Sequence, residues 1–254
     1  MIPKVIHYCW FGGNPLPEDA RKCIASWRRF FPDYEIKEWN ESNFDVHMAP
    51  FVYEAYKLKK WAFVSDYARF WILYHYGGLY FDTDVEVLRD MTPIINDGPF
   101  MGCEKEWHTP GMRIAAGLGL GALPKMKVYE DFLNIYNRMH IIMPRGTVCL
   151  RTVVDIVTDY FKKLGLEKCQ NKIEIAGIFI YPHDYFCPMN YGSRKIEITD
   201  NTYTIHHYQG SWLKPHSLEI IEESFWAFFR QKNHQVLWRI RNMIIRYSYS
   251  IRFI

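Results

Sequence analysis

Between Trp61 and Asp84 the chain reads WAFVSDYARFWILYHYGGLYFDTD. Residues 61–76 have the spacing of a helix about four turns long that is apolar nearly all round. Such a helix cannot rest on a surface with one face in water; it must be covered by other elements. Gly77-Gly78 ends it. Residues 79–81 then read as a short central strand, with Asp82 and Asp84 at its carboxyl end. A buried helix that feeds a buried strand constrains the chain to a layered α/β fold. In open sheets of that class, ligands bind outside the carboxyl ends of the strands.

The flanking sequence agrees. Residues 4–10 (KVIHYCW) form a β-type run closed by Gly12-Gly13 and the Pro15/Pro17 turn region. Ala20, Cys23, Ile24 and Trp27 share one face of a helix that Pro32-Asp33 stops. Residues 34–39 alternate as a second strand. Further strands are expected at 100–104, 173–181 and 203–207, and helices at 124–139, 148–164 and 217–246. The run AAGLGLGA, with Gly117, Gly119 and Gly121, fails the G-x-G-x-x-G spacing, because its third glycine comes one residue early. It reads as flexible chain beside a ligand.

Composition narrows the class. A chain of 254 residues suits one large domain, or one domain with a small appendage. The hydrophobic fraction of 49% excludes disorder, and a net charge of +3 gives no argument for nucleic acid. The six cysteines form no C-x-x-C pair, which removes a zinc ribbon and points to reduced thiols. The N-terminal stretch lacks a signal-peptide pattern, and no apolar run approaches the ~18 residues a membrane span needs. A cytoplasmic location is the expectation.

The acid pair carries the chemistry. Alternation along a strand would put Asp82 and Asp84 on one face and Thr83 on the other. Two adjacent carboxylates repel unless something positive lies between them. A hard divalent cation does this through oxygen ligands and also bridges a diphosphate. The plain alternative is a solvated turn with two surface acids. Asp66 and Arg69 are spaced i, i+3 and share a helix face. Two readings stay open for them: a structural ion pair, or a clamp on a polyhydroxyl ligand at a pocket wall. His206 and His207 end a strand, so at most one of them faces the site. A structural histidine is the alternative to a metal ligand, and an Asp/Asp/His set suits manganese or magnesium.

The blocks IPKVIHYCWFGG, SWRRFFPDYEIKEWNESNFD, SDYARFWILYHYGGLYFDTDVE and IHHYQGSW, in this order, resemble glycosyltransferase family 32. That group includes bacterial capsular-polysaccharide sugar transferases and yeast mannosyltransferases, and the large clostridial toxins have a related core. The likeness is strong over the first part of the chain and returns at YPHDYF and IHHYQGSW. It implies a GT-A-type, Rossmann-like nucleotide-sugar-binding fold with a mixed central sheet and added C-terminal helices. It also implies a retaining transfer of a hexose, from a UDP-sugar in preference to GDP-mannose, to a glycan or lipid-linked glycan acceptor in surface polysaccharide synthesis. Position by position, Trp10 matches the aromatic that stacks on the base, and Asn43 a polar contact to the nucleotide. Ser65, Asp66 and Arg69 match the stretch that holds the ribose and donor sugar, and Tyr80 a residue beside the diphosphate. Asp82 and Asp84 match the metal motif, and His207 matches the distal metal-binding histidine. Ser211 and Trp212 match a C-terminal lid. The stretches PRGTVCLRTVVD and AAGLGLGA depart from the family pattern.

Residues 1–216 are thus expected to form the catalytic domain and 217–254 a basic, aromatic helical segment. From Ser224 onward the lysines and arginines at 230, 232, 239, 241, 246 and 252 meet no acid. Two readings fit this segment: a helix lying in an anionic membrane surface at the inner face, or a terminal helix packed on the core. Two other functions compete with the transferase. LYFDTDV also fits a haloacid-dehalogenase-like phosphohydrolase, though such enzymes place the motif earlier in the domain. A non-catalytic glycan-binding module is the third.

Overall fold

The computed structural model describes residues 1–104, 112–142, 151–190 and 193–209. The chain divides into two units, Met1–His140 with Leu150–Gly210, and Ile141–Cys149 with Ser211–Ile254. Only Ile141 and Ile142 of the second are described, so the architecture is that of the first. The expected helix at 217–246, the basic tail, Ser211 and Trp212 all lie outside the described residues.

The first half follows the sequence closely. Strand β1 (Val5–Cys9) leads to helix α1 (Glu18–Phe30) and strand β2 (Glu35–Trp39). Helix α1 is amphipathic, with Ala20, Cys23, Ile24 and Trp27 on its buried face, and its ends carry the helpful charges: Glu18 and Asp19 first, Arg28 and Arg29 last. Helix α2 (Pro50–Lys57), which the sequence reading missed, has Pro at its first turn. Helix α3 (Trp61–Tyr76) has the expected bounds and is buried along most of its length, Asp66 and Arg69 included. Gly77 and Gly78 take φ of +65° and +94°, which frees the chain to leave the helix and enter β3 (Gly78–Tyr80) at once.

Strand β4 (Val85–Val87), helix α4 (Thr92–Asp97) and strand β5 (Phe100–Glu104) follow. Then come β6 (Arg113–Ala115), β7 (Leu120–Ala122), α5 (Lys127–Tyr136) and α6 (Val153–Lys163). Thr152 caps α6 in a capping box with Asp155. The described part ends with β8 (Ile173–Ile175), β9 (Ile178–Tyr181), a short helix α7 (His183–Phe186) and β10 (Thr204–His206).

Eight strands form one mixed sheet in the order β2-β1-β3-β7-β5-β9-β8, with β6 paired to β5. Strands β2, β1 and β3 run parallel, β7 runs against β3 and β5, and β5 is parallel to β9. This is the α/β fold with a mixed central sheet that the resemblance implies. Strands β4 and β10 form a separate antiparallel pair.

Three expectations need correction. The glycine-rich run is not flexible chain: it contains β7, in the middle of the sheet, and Leu118, Leu120 and Ala122 are fully buried. The expected strand at 173–181 is a hairpin. Ala176 and Gly177 both take positive φ (53° and 73°), the backbone of a two-residue hairpin turn, and alanine gives no sign of it in the sequence. Finally, Asp82 and Asp84 do not lie on a strand. Strand β3 ends at Tyr80, and the Val85 N–H donates to the Asp82 carbonyl at 3.0 Å, closing a turn.

That turn is anchored from both ends. Phe81, fully buried, packs against Trp27 (ring centroids 5.5 Å apart) and Phe31 (6.3 Å). The Trp27 indole N–H donates to the Val85 carbonyl at 2.8 Å. Burying a side chain such as Phe81 stabilises the fold by about 1.5–3 kcal/mol, so the acids hang from a rigid support.

Candidate functional site

Strands β1, β2 and β3 present their carboxyl ends on one edge of the sheet. Trp10 follows β1, the loop of Asn40 to Asn43 follows β2, and the acid turn follows β3. The four-residue sequence Tyr80 to Thr83 therefore passes directly from core strand to site.

The Asp82 carboxylate accepts from the Tyr80 hydroxyl at 3.1 Å and lies 3.2 Å from Arg69 Nη2. Asp84 has one oxygen 3.1 Å from His206 Nε2 and the other accepting the Gln209 N–H at 3.0 Å. The His207 N–H closes the contact on the Asp84 carbonyl at 2.9 Å. Strand β10 delivers His206 because its register with β4 sets His206 opposite Val85, one residue past Asp84. One ligand atom from each of Asp82, Asp84 and His206 lies within 4.8 Å of the others.

The resemblance pointed to His207, and the geometry brings in His206 instead. Neighbours on a strand face opposite ways. The His207 ring turns outward, where its Nε2 lies 2.8 Å from Glu86. The sequence contained the pair, but only the β4–β10 register decides between its members.

Arg69 lies behind the acids with 3% of its side chain exposed. Its Nη2 is 3.0 Å from Asp66 and 3.2 Å from Asp82, and its Nε donates to the Ser65 carbonyl at 3.2 Å. Its guanidinium carbon lies 5.0 Å over the Tyr80 ring, a cation–π contact. The open choice at this pair is thereby narrowed: Asp66 and Arg69 are an ion pair, and that pair extends directly to Asp82. The Ser65 hydroxyl itself donates to the Trp61 carbonyl at 3.1 Å.

The electrostatics follow from burial and sign. Burial pushes the Asp66 carboxyl up to about 7, against the pull of Arg69 and with a further push from Asp82. Burial also raises Asp82; Arg69 holds it back and Asp84 adds to it. Asp84 goes the other way, to about 2: burial opposes its charge, but His206 and the Gln209 N–H outweigh it. Burial works against the charge on His206 and on Arg69 too, yet Asp84 raises the former and Asp82, foremost, the latter.

Trp10 and Asn43 are held by contacts within their own loops. The Trp10 indole N–H donates to the Asn14 carbonyl at 2.6 Å. The Asn43 side chain donates to the Glu38 carbonyl (2.8 Å) and accepts from the Asn40 N–H (2.9 Å), so it braces the loop after β2. Glu41 holds the other side of this edge, accepting the Gly12 N–H at 2.7 Å. Sequence reasoning gave no role to Glu41 or Gln209, and it placed Tyr208, whose ring meets His206 edge-on at 4.2 Å, only as the residue that follows His207. Tyr208 and Gln209 fall inside the block IHHYQGSW, which was the available signal.

A divalent cation fits this donor set. Two carboxylates and an imidazole are hard-to-borderline ligands suited to manganese or magnesium. His206 Nδ1 is buried with no hydrogen-bond partner among the described residues, as is Arg69 Nη1. Unpaired buried polar atoms are uncommon, and two of them border these acids.

Residues 17–101 match the model of the glycosyltransferase sugar-binding region containing the DXD motif. Inositol phosphoceramide mannosyltransferase 1 of Schizosaccharomyces pombe is 32% identical over 111 residues, which are 39% of this chain and 33% of that protein. An uncharacterised glycosyltransferase of Acanthamoeba polyphaga mimivirus is 28% identical over 176 residues, 64% of this chain and 67% of its own length. Mannosyl phosphorylinositol ceramide synthase CSH1 of Saccharomyces cerevisiae is 28% identical over 109 residues, 40% of this chain and 28% of that protein. This chain thus spans about a third of the length of the yeast relatives it matches. Among solved structures, a glycosyltransferase involved in glycosylation of the major capsid of PBCV-1 has a TM-score of 0.49 at 12% identity, covering 87% of this chain and 99% of that one. The galactosyltransferase LgtC, in complex with donor and acceptor sugar analogues, has a TM-score of 0.45 at 16% identity, covering 92% of this chain and 99% of that one.

Proposed function

We propose that this chain, whose residues 17–101 match the glycosyltransferase sugar-binding region containing the DXD motif, is a glycosyltransferase that moves a hexose from a nucleoside-diphosphate sugar to a hydroxyl of a glycan or lipid-linked glycan. The observation that carries this reading is the cluster of Asp82, Asp84 and His206 at the carboxyl end of β3, backed by the Asp66–Arg69 pair. Asp82, Asp84 and His206 would hold the cation. When bound, it supplies positive charge against the diphosphate as that group leaves.

The residues divide the remaining work. Trp10 and the loop braced by Asn43 receive the nucleoside at the ends of β1 and β2. Arg69, paired with Asp66 behind the acids, holds the Asp82 carboxylate in place, and a fixed geometry of this kind lowers the barrier by removing freedom before the reaction. The bond from the anomeric carbon to phosphate oxygen breaks. A bond to the acceptor oxygen forms on the same face, so configuration is retained. The acceptor's proton passes to the leaving phosphate oxygen. No side chain of the described site is assigned as a covalent nucleophile.

The names of the yeast relatives support mannose as the hexose and a lipid-linked acceptor. GDP-mannose and UDP-sugars therefore enter the test together. Among the described residues no helix is long and apolar enough to cross a membrane. In this reading, membrane contact falls to the basic tail, 217–254, at the inner face. Vesicle sedimentation of a chain lacking residues 225–254 tests it; unchanged sedimentation removes it.

The enzyme reading is tested with a panel of nucleotide sugars and manganese, scored by release of the nucleoside diphosphate. Turnover of at least one donor, stopped by a chelator and restored by manganese, is expected. Release of phosphate from simple esters with no donor turned over would favour the phosphohydrolase and overturn the proposal.

A further inference from the structure

The alternating glycines of AAGLGLGA have no part in the reading above, and each faces a different neighbour. A methyl group built on Gly121 would lie 2.4 Å from the Phe100 ring, and one on Gly119 would lie 2.9 Å from the Phe81 ring. Those two glycines make room for the core. A methyl group on Gly117 would lie 2.1 Å from Asp82 Oδ2 and 3.1 Å from its Cγ. The Asp82 carboxylate thus occupies the volume that any side chain at 117 would take.

Two more contacts fix this arrangement. The Asp82 N–H points to the Gly117 carbonyl at 3.3 Å, so backbone and side chain of Asp82 both rest on one residue. Arg69 Nη1, buried and without a hydrogen-bond partner among the described residues, lies 3.6 Å from the same methyl position. The notch at Gly117 is therefore bordered by an acid and by a cationic N–H that no described group satisfies.

We propose that Gly117 is a positioning residue for the cation site: its bare backbone forms the notch that holds the Asp82 carboxylate beside Arg69 and within reach of Asp84 and His206. This inference rests on the metal reading of the acid cluster. What position 117 requires is space, not conformational freedom, since its φ lies outside the left-handed region, unlike Gly119 at +141°. Alanine therefore brings no backbone strain at 117. The atom it meets is the end of a flexible side chain, so the fold stays and the carboxylate moves. The departure from the family pattern at AAGLGLGA becomes, on this view, part of the site.

The test uses the full chain and manganese alone, titrated by the electron paramagnetic resonance of the free ion, with melting temperature recorded in parallel. Gly117→Ala should weaken manganese binding by about 10- to 100-fold, the usual effect of disturbing a group that orients a ligand. Its melting temperature should fall less than that of Gly121→Ala, whose methyl meets the core. In an Asp82→Ala background the same substitution should change manganese affinity no further, because the side chain it acts through is gone. Manganese binding in Gly117→Ala equal to or tighter than wild type overturns the proposal. So does a further loss in the Asp82→Ala background. Failure of the wild-type chain itself to bind manganese is a distinct result, and it overturns the metal reading along with the inference built on it.

Discussion

His7 and His206 are both withdrawn from water, and the molecule surrounds them in opposite ways. His7 lies on β1 with 2% of its surface exposed. Its Nε2 is 3.1 Å from the Gly77 carbonyl, and its Nδ1 accepts the Trp39 indole N–H at 3.1 Å. An indole only donates and a carbonyl only accepts, so one neutral tautomer satisfies both. Burial, above all, pushes its pKa down to about 4. His206 has one nitrogen on Asp84 and the other on nothing described, and Asp84 raises its pKa against the effect of burial. The first ring is a finished piece of structure that ties β1 to β2 and to the end of α3. The second is unfinished, and it is unfinished beside two carboxylates. A buried polar atom without a partner calls for a reason, and beside two carboxylates a bound cation supplies one.

The largest expected effect is at the open end of this comparison. Asp84→Asn removes the charge that holds His206 and one ligand of the cluster, and donor turnover should fall to background in the nucleotide-sugar assay. Retention of most of the wild-type rate would mean that the cluster is not the reaction centre.

The closed end should answer in stability. His7→Phe leaves the Trp39 N–H and the Gly77 carbonyl unpaired, a loss of about 2–4 kcal/mol. Chemical denaturation of the variant measures this. A loss under about 0.5 kcal/mol, the size of an ordinary surface change, would show that His7 is not the tie described.

Acid sharpens the same point. Above about pH 6.5 the folded and unfolded chains both hold this ring neutral. As pH falls from 6.5 toward 4, the unfolded chain takes up a proton that the fold refuses, so stability falls. The contribution of His7 to that loss reaches about 3 kcal/mol near pH 4. Denaturation midpoints at several pH values should show this slope in the wild type and a flatter one in His7→Phe.

The smallest effect is expected at His207, whose partner Glu86 is 41% exposed. His207→Ala should cost less than about 1 kcal/mol, as exposed pairs do. A larger change in melting temperature, or a loss of turnover, would return His207 to the site.

The sequence made parts of this molecule readable and hid others for physical reasons. Helix α3 was legible to its ends, because a long run with no polar face and two following glycines admits one interpretation. The acid pair was legible as two carboxylates beyond a buried strand, though that strand stops at Tyr80 and the carboxylates converge through a turn. Strand β7 was hidden because glycines in the middle of a sheet look like loop until the rings they accommodate are known. The choice of His206 over His207 was hidden because it depends on pairing between β4 and β10, which are far apart in the chain. Local pattern thus showed the elements with a clear apolar period, and long-range register decided which histidine joins the acids.

Manganese titration of the wild type beside His206→Ala and His207→Ala addresses the cation cluster most directly. A cation held by Asp82, Asp84 and His206 requires that His206→Ala weaken binding by at least about tenfold and that His207→Ala leave it unchanged. Equal binding by all three proteins, or a loss confined to His207→Ala, would contradict the assignment.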